Sequence, residues 1–307
     1  YLKQKGDNVI GYDQRKSYVT NLLNQDGIKV VHTLDEITYK PHSLYIYSSA
    51  IPIESDRFED FHDKENVLSR PEYLKNLSEN HKIIGITGTH GKTSTTALLS
   101  HIFHFNNVNV SYLYGGITTF NGIGGHYGDP DQPLILETDE AFNTFEKIKI
   151  SDLLVLNVDS DHLDYFKNLD NYKDAFYKVM KNVTDNLVIN NDDLNIKSMK
   201  ELKNPVSYGK DIAADFKVQS PGTFIYENNK YEIKSDIIGD HFKANMLGAI
   251  ILALLNGIEI KDSLNAIESF AGVKRRIELI GISKGVLIYD DYGHHPTEME
   301  ATITALK

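Results

Sequence analysis

An α/β fold with largely parallel strands is predicted by two features of the sequence. Short aliphatic or aromatic runs alternate with stretches of helical periodicity, the pattern of βαβ units. Several of the strand-like runs also end directly in glycine, acidic or histidine clusters, as strands do when a ligand sits beyond their carboxyl ends. At 307 residues the chain exceeds one typical domain, so two or three are expected.

Composition narrows the class. Hydrophobic residues make up 41% and charged residues 24%, ordinary for a globular chain, and no run of about 18 apolar residues offers a membrane span. No signal peptide is visible, and the start at Tyr1 without Met suggests that the true N-terminus lies upstream. The absence of cysteine excludes disulfides and thiolate metal sites and fits a reducing cytoplasm. A formal net charge of −11 argues against a basic nucleic-acid surface, though not against a small anion in a local pocket.

Residues 1–80 read as one incomplete α/β domain. Strands are expected at Asn8–Tyr12, Ile28–Val31 and Leu44–Tyr47, with a helix from Ser17 to Asn24. Asp13 closes the first of these strands, where a Rossmann-like domain meets a ribose hydroxyl; a solvated turn Asp explains it equally well. No Gly-x-Gly-x-x-Gly precedes it, so the first strand and glycine loop of such a domain are expected to be absent.

Residues 81–280 read as a second domain built on Gly85-Ile-Thr-Gly-Thr-His-Gly-Lys-Thr-Ser-Thr-Thr96. The strand-like Lys82–Ile86 precedes it, and Ala97, Leu98, Ile102 and Phe105 follow at helical spacing. Strand, glycine turn, Lys-Thr and helix form a phosphate-binding loop, although the glycine spacing is too short counted from Gly88 and too long counted from Gly85. Gly88 and Gly91 would let backbone N–H groups surround phosphate oxygens, Lys92 would reach the outer phosphates, and Thr93 would ligate Mg²⁺. The buried-type strand Leu134–Leu136 delivers Glu137, and Leu153–Asn157 delivers Asp159, Asp161, His162 and Asp164, so Lys92, Thr93, Glu137 and His162 should meet in one crevice. An isolated Asp-His-x-Asp is more often a hydrogen-bonded turn; after a strand in such a domain it reads as a metal ligand set. The glycine-rich segment from Gly115 to Gly128 reads as a loop beside the site or a plain surface loop. A hairpin is expected at Thr223–Ile233, and a helix at Met246–Leu255. His241 and Asn245, at that helix's start, either face a nucleotide base or cap the helix. Lys274-Arg-Arg276 is either solvated surface or a clamp on transferring charge.

Residues 281–307 supply a strand, Gly285–Tyr289, the cluster Asp290-Asp-Tyr-Gly-His-His-Pro296 and a helix from Thr297. One strand and one helix cannot make their own core, so a third, truncated domain is expected.

Taken in order, Gly88-Thr-His-Gly-Lys-Thr93, Glu137-Thr-Asp-Glu140, Asn157-Val-Asp-Ser-Asp-His-Leu-Asp164, Gly239-Asp-His-Phe-Lys-Ala-Asn245, Gly272-Val-Lys-Arg-Arg276 and Asp290–Glu298 resemble the motifs of the Mur ligases. These are the ATP-dependent amide-bond enzymes of peptidoglycan synthesis, and the resemblance spans nearly the whole chain. It implies an N-terminal Rossmann-like domain for a UDP-sugar, a central ATP-binding domain and a C-terminal Rossmann-like domain that closes over the site. The motif wording implies UDP-N-acetylmuramate as donor and L-alanine as acceptor, with a murein tripeptide as the alternative acceptor and a plain P-loop ATPase or kinase as the reading from another class. A monomer or homodimer without nucleic-acid or membrane partners is implied.

The resemblance also implies roles. Gly88, Thr89, His90, Gly91, Lys92, Thr93 and Ser94 would surround ATP phosphates, with Lys92, His162 and Arg276 catalytic. Thr93 and Glu137 would serve one Mg²⁺ and His162 a second. His241 and Asn245 would contact adenine, and Arg276 and Asp291 would meet the nucleotide from the domain junction. Asp13 and Ser49 would contact the UDP-sugar, and Tyr292 and His294 the amino acid. Two departures stand out. Phe242 occupies the position of an expected adenine-side Asn. Phe176-Tyr177 stands where several members carry a carbamylated lysine, so no carbamate is expected, although the adjacent Lys178 leaves it open.

Overall fold

The computed structural model describes residues 1–118, 122–161, 163–199 and 202–307. They form two compact units, Tyr1–His81 and Lys82–Lys307.

In the first unit β1 (Ile10–Tyr12) runs parallel to β2 (Lys29–Val31), connected through α1 (Tyr18–Gln25). A second parallel pair, β3 (Tyr45–Tyr47) and β4 (Val67–Ser69), leads into α2 (Arg70–Asn80). Both helices start on capping boxes, Ser17 with Thr20 and Ser69 with Glu72, which satisfy first-turn N–H groups and fix where each helix begins.

The second unit is built on a ten-stranded sheet. Its strands and helices follow in the order β5 (Ile83–Thr87), α3 (Lys92–Phe105), β6 (Ser111–Thr118), β7 (Gly122–His126), β8 (Leu134–Glu137), β9 (Asp152–Val155), α4 (Leu163–Phe166), α5 (Leu169–Lys181), β10 (Asn186–Asn190), α6 (Leu194–Lys197), β11 (Val206–Gly209), β12 (Phe216–Ser220), β13 (Thr223–Tyr226), β14 (Asn229–Glu232), α7 (Asp240–Leu255) and α8 (Ile260–Ser269). The spatial order is β14-β13-β12-β11-β10-β9-β5-β8-β6-β7, parallel from β12 to β6 and antiparallel at both ends. Ile83, Ile84, Ile86, Leu134–Leu136 and Leu153–Val155 are fully buried, as central parallel strands covered on both faces must be. Helices α3, α7 and α8 pack together over the main apolar core. The chain passes to one side of β5 for β6 and β8 and to the other for β9, so a crevice opens at the carboxyl end of β5. No helix among the described residues is long and apolar enough to cross a membrane.

Two segments differ from the sequence reading. The glycine-rich stretch read as a loop forms the hairpin of β6 and β7. Tyr112 stacks on Tyr114 and on His126, with ring centres 5.3 Å apart in each case. A Cβ on Gly124 would strike Tyr114, and one on Gly128 the Asn109–Val110 backbone, so these glycines serve close packing rather than freedom. The strand read at 285–289 is β16 (Val286–Asp290), and it pairs antiparallel with β15 (Glu278–Ser283), a strand the sequence reading left out. Lys284 and Gly285 both adopt positive φ, the backbone that closes a two-residue hairpin. Helix α9 (Pro296–Ala305) follows, with proline in its first turn.

Candidate functional site

The turn from β5 to α3 is shaped for an anion. Gly88 and Gly91 take φ of 144° and 86°. A Cβ on Gly88 would come within 3.1 Å of the Asn157 backbone, and one on Gly91 would strike the Asn245 amide. Glycine is therefore required for space as well as for φ. Gly91 is the N-cap of α3 and offers no side-chain cap, and the first turn holds no acidic residue. The first-turn N–H groups and the positive end of the helix dipole thus face the crevice without a competing side chain.

Lys92 lies folded against this turn. Its Nζ donates to Gly88 O at 2.7 Å, Thr89 O at 3.2 Å and both Glu140 oxygens at 3.0 and 2.9 Å. Glu140 is fully buried; burial pushes its carboxyl pKa up, and Lys92 pulls against that. The Tyr172 hydroxyl, from α5, lies 3.3 Å from Glu140 Oε1 and 2.9 Å from Thr89 Oγ1, so a buried polar cluster underlies the loop. Burial raises the Tyr172 pKa, so the phenol stays protonated.

The next residue, Thr93, donates through Oγ1 to Glu137 Oε1 at 2.9 Å, while Glu137 Oε2 accepts Gly115 N at 2.7 Å. A hydroxyl and a carboxylate side by side, next to a phosphate loop, are a hard-oxygen pair that suits magnesium. His162, expected to join them, lies outside the described residues. Lys178 sits on the exposed side of α5, paired with Asp174 at 2.9 Å, whereas Phe176 is buried against Phe145 and Tyr172. A carbamate on Lys178 would face solvent.

Beside the start of α3 a cleft is lined by Ser94, Phe242, Asn245, Val273 and Arg276, with Leu98, Met246 and Phe270 at its back. His241 is half-buried with its ring 4.4 Å from that of Phe242, and burial lowers its pKa. The Val273–Arg276 segment is seated by Lys274 N donating to Ile117 O at 2.8 Å. Arg275 and Arg276 place their guanidinium carbons 5.0 and 5.1 Å from the Tyr292 ring centre, and His294 packs edge-on against the same ring at 5.5 Å. Asp291 accepts Ile277 N and Gly293 N, at 2.8 and 2.7 Å, and so braces a turn in which Ile277 adopts a φ of 51°. In the first unit, Asp13 follows β1 and accepts Arg15 N at 2.8 Å, while Ser49 lies in the exposed turn after β3.

The structure thus gathers Thr89, His90, Lys92, Thr93 and Glu137 around the loop, Ser94, Asn245 and Arg276 in the adjoining cleft, and Tyr292 with His294 in a third cluster. The sequence reading missed Glu140 as the counter-ion of Lys92 and Tyr172 beneath it. Glu140 was visible only as the last of three acids, Glu137, Asp139 and Glu140, at the end of β8, and Tyr172 shares the helical spacing of Ala175, Phe176 and Val179, which reads as core.

Fold and site together define a phosphate-loop α/β protein with an adjoining segment that carries acidic, aromatic and histidine side chains. The family model described as Mur ligase middle domain matches residues 86–253, and that described as Mur ligase, glutamate ligase domain matches residues 275–307. A UDP-N-acetylmuramate–L-alanine ligase of Clostridium botulinum is 35% identical over 97% of this chain and 68% of its own length. The solved UDP-N-acetylmuramate–alanine ligase of Thermotoga maritima superposes with a TM-score of 0.84 at 24% identity, covering 100% of this chain and 73% of that one. A murein peptide ligase of Psychrobacter arcticus shares the fold at a TM-score of 0.76 and 22% identity, covering 100% of this chain and 72% of that one. The chain belongs to the Mur ligase family.

Proposed function

We propose that the protein is an ATP-dependent ligase of peptidoglycan synthesis that joins L-alanine to the carboxylate of UDP-N-acetylmuramate. The observation that carries this reading is the reach of the C-terminal segment onto the phosphate loop and the segment after β9 beside it: Glu298 Oε1 lies 3.2 Å from His90 Nδ1 and Thr297 Oγ1 donates to Asp159 Oδ2 at 2.7 Å. A simple kinase or ATPase has no need of an acceptor-side segment docked there. The 35% identity to a relative named for this reaction supports the choice of substrates.

In this reading residues 1–80 hold the UDP-sugar through Asp13 and Ser49, residues 81–280 hold ATP, and residues 281–307 open the domain that receives the amino acid. The α3 N-terminus takes the phosphates, and Lys92 leaves Glu140 to neutralise their charge. Thr93 and Glu137 hold Mg²⁺, with His162 for a second ion. Bound there, magnesium screens the repulsion between two anions, the donor carboxylate and the γ-phosphate. The carboxylate attacks the γ-phosphorus and displaces ADP to give an acyl phosphate; the free amine of L-alanine then adds to the acyl carbon and loses a proton, and phosphate departs from the tetrahedral intermediate to leave the amide. Arg276 stabilises the transferring charge, and Asn245 meets the adenine. Positioning and charge supply most of the rate, and no protein nucleophile is used. The reaction belongs in the cytoplasm, where ATP and the UDP-sugar are found.

The test is ATP-dependent phosphate release by the full-length protein with UDP-N-acetylmuramate, adding L-alanine or the murein tripeptide separately. Release only with L-alanine supports this reading, release only with tripeptide replaces the acceptor, and release without any acceptor moves the protein to the ATPase class.

A further inference from the structure

The His90 ring is held between two carboxylates from distant parts of the chain. Its Nε2 lies 3.3 Å from Asp159 Oδ2 and its Nδ1 3.2 Å from Glu298 Oε1, 208 residues further along. Both carboxylates are only partly exposed. Asp159 is in turn fixed by Thr297 Oγ1 at 2.7 Å and by its own backbone N–H, which donates to Thr89 Oγ1 at 2.8 Å. The backbone of His90 is pinned as well: its N–H donates to Asn157 Oδ1 at 2.8 Å, and its carbonyl accepts Asn157 Nδ2 at 3.0 Å.

An acid or hydroxyl in the first turn of a helix ordinarily serves that helix, by capping it or favouring its dipole. Thr297 and Glu298 do otherwise. The cap of α9 comes from His295, whose side chain accepts Thr297 N, leaving the Thr297 hydroxyl for Asp159 and one Glu298 oxygen for His90 of the phosphate loop. The other Glu298 oxygen accepts His294 N at 3.3 Å, so one carboxylate joins the phosphate loop to the turn that carries Tyr292 and His294.

We infer that Thr297 and Glu298 are positioning residues for phosphoryl transfer, which seat His90 and Asp159 and thereby shape the phosphate loop only when the start of α9 is docked. This rests on the ligase reading. His90 stands one residue before the Gly91 cap and two before Lys92, so the contacts of its ring with Asp159 and Glu298 add to the Asn157 bonds that hold the loop leading into that helix start. The acceptor side and the nucleotide side are thereby coupled: the loop reaches its working shape when Tyr292 and His294 arrive.

A double-mutant cycle on the full-length protein tests this, with Glu298→Gln, His90→Asn and the pair, and Thr297→Val as an independent variant. Each single change should lower kcat about tenfold with nucleotide affinity changed less than about twofold, and the pair should be no worse than the weaker single variant. Effects that multiply would overturn the inference, as would parallel losses of kcat, nucleotide affinity and Tm, which mark a merely structural role. The same cycle on thermal unfolding reads the contact without turnover, and additive shifts there also overturn it. Wild-type protein that releases no phosphate with either acceptor would refute the ligase reading, while the unfolding cycle still decides the clasp.

Discussion

Lys92 and Glu140 form an ion pair beneath the phosphate loop, with Nζ 2.9 Å from one carboxylate oxygen and 3.0 Å from the other. The lysine that should meet ATP is therefore already occupied, and nucleotide must compete with Glu140 for it. Glu140→Gln weakens the resting pair while keeping its shape. It should tighten nucleotide binding in a titration and lower Tm, whereas Glu140→Ala, which breaks a buried pair, should cost about 3–5 kcal/mol of stability. Unchanged nucleotide affinity in the Gln variant would show that Lys92 does not have to leave Glu140.

Glu137 contacts Thr93 and the backbone of Gly115, so Glu137→Gln retains the shape of this corner but removes its charge. The Mg²⁺ concentration for half-maximal turnover should rise at least about tenfold, with little change in Tm. A magnesium titration of phosphate release checks this.

Phe242 leaves the cleft beside α3 with an apolar wall where a second amide would read a base. A hydrophobic wall discriminates poorly between bases that differ in hydrogen-bonding groups. ATP and GTP should therefore bind the wild-type protein within about tenfold of each other, and Phe242→Asn should widen that ratio. Competition binding with the two nucleotides measures it; a strong wild-type preference for ATP would contradict the prediction.

Acidity should tune the contact between His90 and Glu298 from both sides. Hydrogen bonding to His90 holds the Glu298 carboxyl down at about 2, despite partial burial. Burial works against charge on His90, but its hydrogen bonds to Glu298 and Asp159 outweigh that and raise its pKa. Arg276, His294, whose Nδ1 lies 3.8 Å from Glu298 Oε2, and the His295 ring, 5.0 Å from the His90 ring, are further charged or titratable neighbours. A depressed carboxyl stabilises above its unfolded value and loses that contribution as pH falls towards about 2. A raised histidine stabilises below its unfolded value, about 6.5, and loses that contribution as pH rises through its folded value. The Tm gap between wild type and Glu298→Gln should be widest between about pH 5 and 6.5 and shrink on either side. A gap independent of pH would rule out the charged contact.

Gly91 combines a φ of 86° with a Cβ position that the Asn245 amide already fills. Gly91→Ala should lower both stability and nucleotide affinity, the backbone strain alone costing about 1–2 kcal/mol. Thermal unfolding and nucleotide titration report the two losses.

The sequence by itself determined the α/β class, the central strands, the phosphate loop and the order of the motifs, because each is written in contiguous residues. Apolar runs such as Leu134–Leu136 have to be buried, Gly88 and Gly91 occupy positions where a side chain would collide, and Lys92 and Thr93 follow at fixed offsets. Only the tertiary structure decided which distant groups meet. Lys92 with Glu140, Tyr172 with Thr89, and His90 between Asp159 and Glu298 are joined by strand order and helix packing rather than by local spacing. The glycines at 124 and 128 were read wrongly for the same reason: a glycine that loosens a loop and one that lets two strands close look alike until the neighbour that fills the missing Cβ, here Tyr114 or the Asn109–Val110 backbone, is in place.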